Sequence, residues 1–143
     1  MAFSTEKEMV EVIKNSSYIK KITQPGPYIL EDEVTGYFGI PDFVIVKKKN
    51  KKPISFAFEA KLCNWNRALE QAFRYKAFAN KSYVIMDHDK IKPALCNSEK
   101  FSRANIGLLS IDDSGKVHTH YKPHLELPYS PQLHEKFTNE FCL

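Results

Sequence analysis

Two apolar segments joined by a short lysine-rich stretch most constrain how this 143-residue chain folds. The first segment runs from Asp42 to Lys48, the second runs from Ile54 to Leu62, and Lys49-Asn50-Lys51-Lys52 lies between them. Short apolar runs bounded by turn residues are typical of strands. Because asparagine tolerates the positive φ of a tight turn, we expect a β-hairpin with its tip at Asn50-Lys51.

Three charged residues fall on one face of this predicted hairpin. In the expected register Asp42 lies directly opposite Glu59, and directly opposed residues share a face. Lys61 follows Glu59 by two residues and therefore lies on the same face. The opposite face carries a continuous apolar set: Phe43, Ile45, Phe56, Phe58, Ala60 and Leu62. Val44, Val46 and Ala57 share the charged face, which indicates that this face is at least partly covered as well.

Two carboxylates in one partly dry site repel each other unless a proton or a cation lies between them. Magnesium and manganese are hard ions that suit oxygen ligands and usually bring waters. A carboxylate pair with a neighbouring lysine is the kind of residue set that supports metal-assisted hydrolysis of a phosphodiester. The alternative is a salt bridge of Lys61 with Glu59 or Asp42 on a solvated sheet face, which has little functional consequence.

The rest of the chain predicts helices and further strands around this hairpin. A capping box at Thr5 and Glu8 starts the first helix, and Trp65, Ala68, Leu69, Ala72 and Phe73 form the apolar stripe of another. The predicted helices run from about Thr5 to Lys14, from Trp65 to about Phe78, around Lys90 to Arg103, and from Gln132 to Phe141. The other predicted strands are Tyr28 to Glu33, Tyr83 to Met86, Ile106 to Ile111 and Val117 to Tyr121. This order predicts a single α/β domain over residues 1–143, with a mixed sheet packed against helices.

Charge and composition narrow the class of protein. The formal charge is +4, and five of the positive residues lie within Lys47 to Lys52, so the basicity is local. This lysine run can contact backbone phosphates or can keep the turn soluble.

We expect an intracellular protein without a membrane span, because the sequence has neither a secretory signal nor an apolar run of about 18 residues. Three widely spaced cysteines give no disulfide framework, and His118, His120 and His124 lack a matching set of zinc ligands.

Gly39-x-Pro41-Asp42, the hairpin and Glu59-Ala60-Lys61 together resemble the PD-(D/E)xK nuclease superfamily. Gln71 and Tyr75 match the Gln-x-x-x-Tyr motif of its RecB-type members. The resemblance covers roughly residues 5 to 111 and implies a restriction-endonuclease-like αβββαβ core with C-terminal additions. Glu6, which precedes the apolar stripe of the first helix, is similar to a glutamate that archaeal Holliday-junction resolvases use at their metal site. Glu11 is expected on the opposite side of that helix.

The resemblance implies a role for each matching residue. Asp42, Glu59, the Ala60 carbonyl and Glu6 would hold Mg²⁺, for which Mn²⁺ substitutes. Lys61 would position or deprotonate the attacking water, and Gln71 with Tyr75 would orient Lys61 or the phosphate. Glu33 or Glu31 is a further candidate ligand, and Tyr37 and Phe38 are expected either to stack on bases or to fill core.

The implied activity is that of a Mg²⁺-dependent deoxyribonuclease acting on double-stranded or branched DNA. A core this small is expected to gain substrate reach by forming a homodimer or by joining a partner. The alternative is a catalytically inactive nucleic-acid- or protein-binding module of the same fold within a larger assembly.

Overall fold

A six-stranded sheet organises the computed structural model, which describes residues 1–35 and 39–141. The strands are β1 (Tyr28–Asp32), β2 (Phe43–Lys49), β3 (Lys52–Lys61), β4 (Lys81–Asp87), β5 (Gly107–Ile111) and β6 (Val117–Tyr121). The helices are α1 (Glu6–Lys14), α2 (Ser17–Thr23), α3 (Trp65–Tyr75), α4 (Lys92–Leu95), α5 (Ser98–Ala104) and α6 (Pro131–Asn139). A turn of 3₁₀-helix, His88–Lys90, follows β4.

The sheet is mixed, and its strands lie side by side in chain order. Antiparallel pairing joins β1 to β2, β2 to β3 and β5 to β6, whereas β3 to β4 and β4 to β5 are parallel. Parallel neighbours need a crossover connection. Helix α3 makes the first crossover, and the 3₁₀ turn with α4 and α5 makes the second. The prediction of an α/β fold with a mixed sheet packed against helices is confirmed.

The central hairpin has the register expected from the sequence. Phe43 pairs with Phe58, and Pro53 pairs with Lys48 close to the turn. Asn50 and Lys51 both have positive φ, at 54° and 66°. Two consecutive positive φ values match the right-handed twist of the strands, which explains why a two-residue turn closes this hairpin.

Helices cover both faces of the sheet. On one face, Met9, Ile13 and Ile19 of α1 and α2 are buried against the predicted apolar set of the hairpin. Rings of Phe43, Phe58 and Tyr83 stack across three strands there, with centroids 4.4 Å and 4.7 Å apart. On the other face, α3 and α6 bury Val44, Val46 and Ala57 beneath Tyr75, Phe78 and Phe137. The face that carries the charges is therefore covered, as its valines and alanine indicated.

Three local features differ from the predictions. Helix α2 was not predicted, although Ser16 is its N-cap and accepts a hydrogen bond from the Ile19 amide. The continuous helix from Lys90 to Arg103 is wrong, because the chain breaks there into the 3₁₀ turn, α4 and α5. Phe73 belongs to the predicted apolar stripe of α3 but is 45% exposed, with its ring beside that of Tyr129 from the C-terminal segment.

Other predictions fall partly outside the described residues. Cys63 and Cys96 are free and exposed, and Cys142 lies beyond the described range. Tyr37 and Phe38 also lie outside it. Within residues 1–35 and 39–141, every helix is too short or too polar to cross a membrane.

Candidate active site

The acid pair lies where β2 begins and β3 ends. Asp42 precedes β2 directly, and its amide donates to the Phe58 carbonyl at 3.0 Å, which continues the hairpin pairing. The Asp42 carboxylate also contacts the end of β3, where its Oδ2 accepts a hydrogen bond from the Ala60 amide at 2.6 Å. Glu59, one residue earlier on β3, is only 4% exposed. Asp42, directly before β2, and Glu59, near the end of β3, are thus brought together by the hairpin pairing.

Lys61 lies between two glutamates at this strand end. Its Nζ is 3.9 Å from Glu59 Oε2 and 4.0 Å from Glu6 Oε1. The other Glu6 oxygen, Oε2, accepts from the Leu62 amide at 3.2 Å. This bond fixes the start of α1 against the end of β3. The structure therefore brings Glu6 to the same strand end as Glu59 and Lys61.

Tyr75 holds Glu59 rather than Lys61. Its hydroxyl donates to Glu59 Oε1 at 2.6 Å and lies 3.1 Å from the Ile40 carbonyl oxygen. Gly39 makes room for the ring: its φ is +136°, and a Cβ built on it would lie 3.1 Å from Tyr75 Cε1. The glycine of the Gly-x-Pro-Asp segment thus allows the backbone to pass close beneath the tyrosine.

Gln71 lies one turn before Tyr75 on α3. Its Oε1 is buried, and none of the described residues donates a hydrogen bond to it. Buried polar atoms normally have partners, since an unpaired one costs about 1–3 kcal/mol. The oxygen is therefore available to a donor that the described part of the chain does not supply.

The electrostatics of the acid pair are unfavourable without a cation. Burial, and after it the neighbouring Asp42 carboxylate, raise the pKa of Glu59 to about 7 against the opposing effects of Tyr75 and Lys61. Burial also raises the pKa of Asp42, while the Ala60 amide and Lys61 lower it. A single ammonium group 3.9 Å from Glu59 compensates this negative charge only in part.

An acidic cleft adjoins the pair. It has a volume of about 270 Å³ and is lined by Glu6, Lys7, Val10, Glu11, Asp32, Glu33 and Asp42. The Glu33 amide donates to the Asp42 carbonyl oxygen at 3.0 Å, which places this acid beside the site. Glu11, which was expected on the other side of α1, lines this cleft instead, with its carboxylate 2.7 Å from Lys14 Nζ.

The donor set at this strand end suits a hard divalent cation. Carboxylates of Asp42 and Glu59 and a backbone carbonyl are ligands that Mg²⁺ prefers, with waters completing its shell. Across residues 1–35 and 39–141, no three His, Cys, Asp or Glu side chains are grouped tightly enough to hold an ion. An ion here would therefore be held by the two acids and the carbonyl, with water completing its shell.

No protein-family model matches this sequence, and a comparison with curated proteins finds no match. The likeness to a nuclease superfamily thus depends on the motif residues and the element order alone.

His88, His118 and His120 form a separate cluster next to β5, whereas the amide of His124 donates to Asn105 Oδ1. The rings of His88 and His118 stack with centroids 4.0 Å apart, and Ser110 Oγ lies 2.7 Å from both His88 Nδ1 and His120 Nε2. His118 Nε2 contacts Asp112 Oδ2 at 2.9 Å. Sequence reasoning missed His88, because it comes from the 3₁₀ turn after β4, far from the others along the chain.

Proposed function

We propose that this chain is a Mg²⁺-dependent deoxyribonuclease of the PD-(D/E)xK superfamily, with Mn²⁺ as a substitute ion. The observation that carries the proposal is the acid pair, half-buried Asp42 and buried Glu59, at adjacent strand ends with Lys61 beside Glu59. The element order supports it, because α1, β1 to β3, α3 and β4 follow the αβββαβ core of that superfamily with α2 added. Gln71 and Tyr75 on α3 support it further.

The residues have distinct tasks in this proposal. Asp42, Glu59 and the Ala60 carbonyl would hold the ion, and Glu6 of α1 holds Lys61 at the same strand end. Bound Mg²⁺ supplies an activated water and absorbs negative charge on the scissile phosphate. Tyr75 fixes the rotamer of Glu59 through its 2.6 Å hydrogen bond. Lys61, held between Glu59 and Glu6, orients the attacking water or contacts a phosphate oxygen. Gln71 can accept a hydrogen bond from a group in the site, because none of the described residues donates to its Oε1.

The proposed substrate is DNA, double-stranded or branched, and the proposed setting is intracellular. A catalytic core of this size presents a limited surface to a duplex, so a homodimer or a partner protein is expected to extend its contact with DNA. The acid pair itself selects for a phosphodiester in the presence of a divalent ion, and it carries no sequence preference.

A cleavage assay with matched variants tests the proposal. The purified chain is incubated with plasmid, single-stranded and branched DNA in Mg²⁺, in Mn²⁺ and in EDTA. We expect metal-dependent cleavage that falls by at least about 100-fold in Asp42→Asn and in Glu59→Gln. Asp113→Asn, an exposed acid in the β5–β6 turn, is the control and should cleave like the wild type. Equal cleavage by the wild type and both site variants would dismiss this active site.

The second candidate is a binding module that has the fold without the chemistry. The lack of a third close acid among the described residues is the observation that favours it. Calorimetric titration with Mn²⁺ separates the two candidates. The nuclease requires binding that Glu59→Gln weakens, whereas heat too small to measure, or heat unchanged by that variant, supports the binding module.

A further inference from the structure

Five lysines converge on one pocket at the other end of the sheet. The pocket has a volume of about 360 Å³, and its lysines come from four segments: Lys21 of α2, Lys47 and Lys49 of β2, Lys81 of β4, and Lys122 after β6. Within the lysine run of the hairpin, Lys47 and Lys49 share a face by alternation, while Lys48 and Lys51 do not line the pocket. The run is thus divided between a pocket wall and a solvated surface.

The lysine pocket contains no compensating negative charge. None of its lining residues is acidic. Among the described parts of the chain, none of these five lysines has a carboxylate oxygen within 4.0 Å. Burial lowers the pKa of Lys81, and the nearby charges of Lys122, Lys47 and Lys49 lower it further. The ammonium groups are therefore close enough to repel one another, and an anion placed between them would relieve that repulsion.

The floor of the lysine pocket is apolar and aromatic. Phe56 and Tyr83 form part of it, and Lys47 Nζ lies 5.7 Å from the centroid of the Phe56 ring. Leu125, which is 56% exposed, forms part of the rim. Small-molecule sites typically have volumes of about 300–1,000 Å³, with an apolar lining and a few converging polar groups. A bare inorganic anion would leave most of this floor uncovered, so a ligand with an apolar body beside its phosphate fits better.

The lysine pocket is separate from the acid pair. Ile54, in its wall, and Glu59 lie five residues apart on β3, which corresponds to about 16 Å at 3.3 Å per residue. The two side chains also point to opposite faces of the sheet, because their positions differ by an odd number and side chains alternate along a strand. A nucleotide-sized ligand in the lysine pocket therefore leaves the acid pair untouched, and this inference does not depend on the proposed nuclease activity.

We propose that the lysine pocket binds a phosphate ester of nucleotide size. Lys47, Lys81 and Lys122 contact the phosphate groups, and the aromatic and aliphatic floor receives the nucleoside. Lysine binds phosphate as a point charge and so accepts phosphates in several orientations. The same chemistry is offered by a free nucleotide and by the phosphorylated end of a nucleic-acid strand.

Isothermal titration calorimetry in EDTA at low salt tests this site with the acid pair free of metal. The probes are ADP, pyrophosphate, adenosine, and a hexanucleotide with and without a 5′-phosphate. We expect ADP to bind, adenosine to bind at least tenfold more weakly, and pyrophosphate to fall between them. Displacement of ADP by the phosphorylated hexanucleotide alone identifies a strand end as the source of the phosphate. If neither hexanucleotide displaces it, the source is a free nucleotide.

Charge-matched variants show whether binding belongs to the lysine pocket. Lys122→Met and Lys81→Met should each weaken ADP binding at least tenfold, whereas Lys90→Met and Lys116→Met, two exposed lysines elsewhere, should leave it within twofold. Lys122 is itself exposed, so that variant keeps the test valid even if Lys81→Met lowers stability. Asp42→Asn should bind ADP normally, which separates this site from the nuclease site. Failure of all phosphorylated probes to bind, or equal weakening in the control variants, would overturn the proposal.

Discussion

Glu59 is held by one phenol and one ammonium group while it faces a second acid. The Tyr75 hydroxyl and Lys61 favour its ionised form, and burial and Asp42 favour its protonated form. The balance places its pKa at about 7, well above the usual value of 4.5. Without a cation, this carboxyl group is therefore about half protonated at neutral pH.

The raised pKa of Glu59 predicts how stability depends on pH. The folded protein holds this proton more tightly than the unfolded chain, so the stabilisation is complete below about 4.5 and is lost as the pH rises through about 7. The expected loss is about 3 kcal/mol at 1.36 kcal/mol per pKa unit. Urea unfolding in EDTA between pH 4.5 and 8.5 measures it, with Glu59→Gln as the reference that cannot titrate. A difference between wild type and Glu59→Gln that stays constant over this range would contradict the raised pKa.

The sheet face on which a side chain lies was predictable for strand residues, because side chains alternate between the two faces along a strand. Asp42, Glu59 and Lys61 were assigned to one face from a period of two, and the register confirms the pairing on which this depends. The partner of Tyr75 was not predictable, because it depends on the angle at which α3 crosses the sheet. The exposure of Phe73 was missed for a similar reason, since Tyr129 comes from a segment more than 50 residues away.

At the scale of elements, the β2–β3 hairpin fixes the geometry of the acid pair. A slip of one residue in its register would move Glu59 to the opposite face, away from Asp42. The turn prevents this slip, but it does so with a lysine at a φ of 66°. A side chain other than glycine is strained in this region by about 1–2 kcal/mol.

Lys51→Gly is therefore expected to stabilise the protein. The strain relieved exceeds the entropy that glycine adds to the unfolded chain, and we expect a net gain of about 0.5–1 kcal/mol. Chemical denaturation at constant pH measures this change. Lys52→Gly, one residue further into β3, is the matched control and should destabilise instead, because its backbone is extended. A loss of stability in Lys51→Gly as large as in the control would show that the turn is not strained.

Helices and strands were predictable where the apolar periodicity continues over many residues. The hairpin strands keep a period of two and α3 keeps a period of 3.6 for most of their length, so these three elements were predicted correctly. Helix α2 has only seven residues, and its signals, the Ser16 cap and the spacing of Ile19, Ile22 and Thr23, are short. Pro93 lies in the first turn of α4, and Asn105 ends α5 in a left-handed conformation. Between them only the turn at Asn97 interrupts the helical pattern.

At the scale of the whole molecule, the C-terminal segment completes the cover over the charged face of the sheet. Phe137 of α6 is fully buried, and its ring lies 4.6 Å from that of Phe78, which in turn packs on Tyr75. The hydrogen bond from Tyr75 to Glu59 thus lies at the end of a continuous packed chain of rings that begins in α6. The sequence predicted the helix but not this connection.

Phe137→Ala should lower the free energy of unfolding by about 3–5 kcal/mol, because it leaves a cavity beneath α6. Guanidinium unfolding followed by circular dichroism provides the measurement. Gln132→Ala on the exposed side of the same helix is the control and should change stability by less than about 0.5 kcal/mol. If Phe137→Ala behaves like Gln132→Ala, then α6 contributes little to the fold.

The acidic cleft and the lysine pocket lie at opposite ends of β3, so the molecule carries an electric dipole along that strand. Its net charge of +4 conceals this separation. We therefore expect the protein to bind a cation exchanger by its lysine end and an anion exchanger by its acidic end at one pH. Any head-to-tail attraction between two copies is expected only at low ionic strength, because the Debye length at 0.1 M salt is about 10 Å.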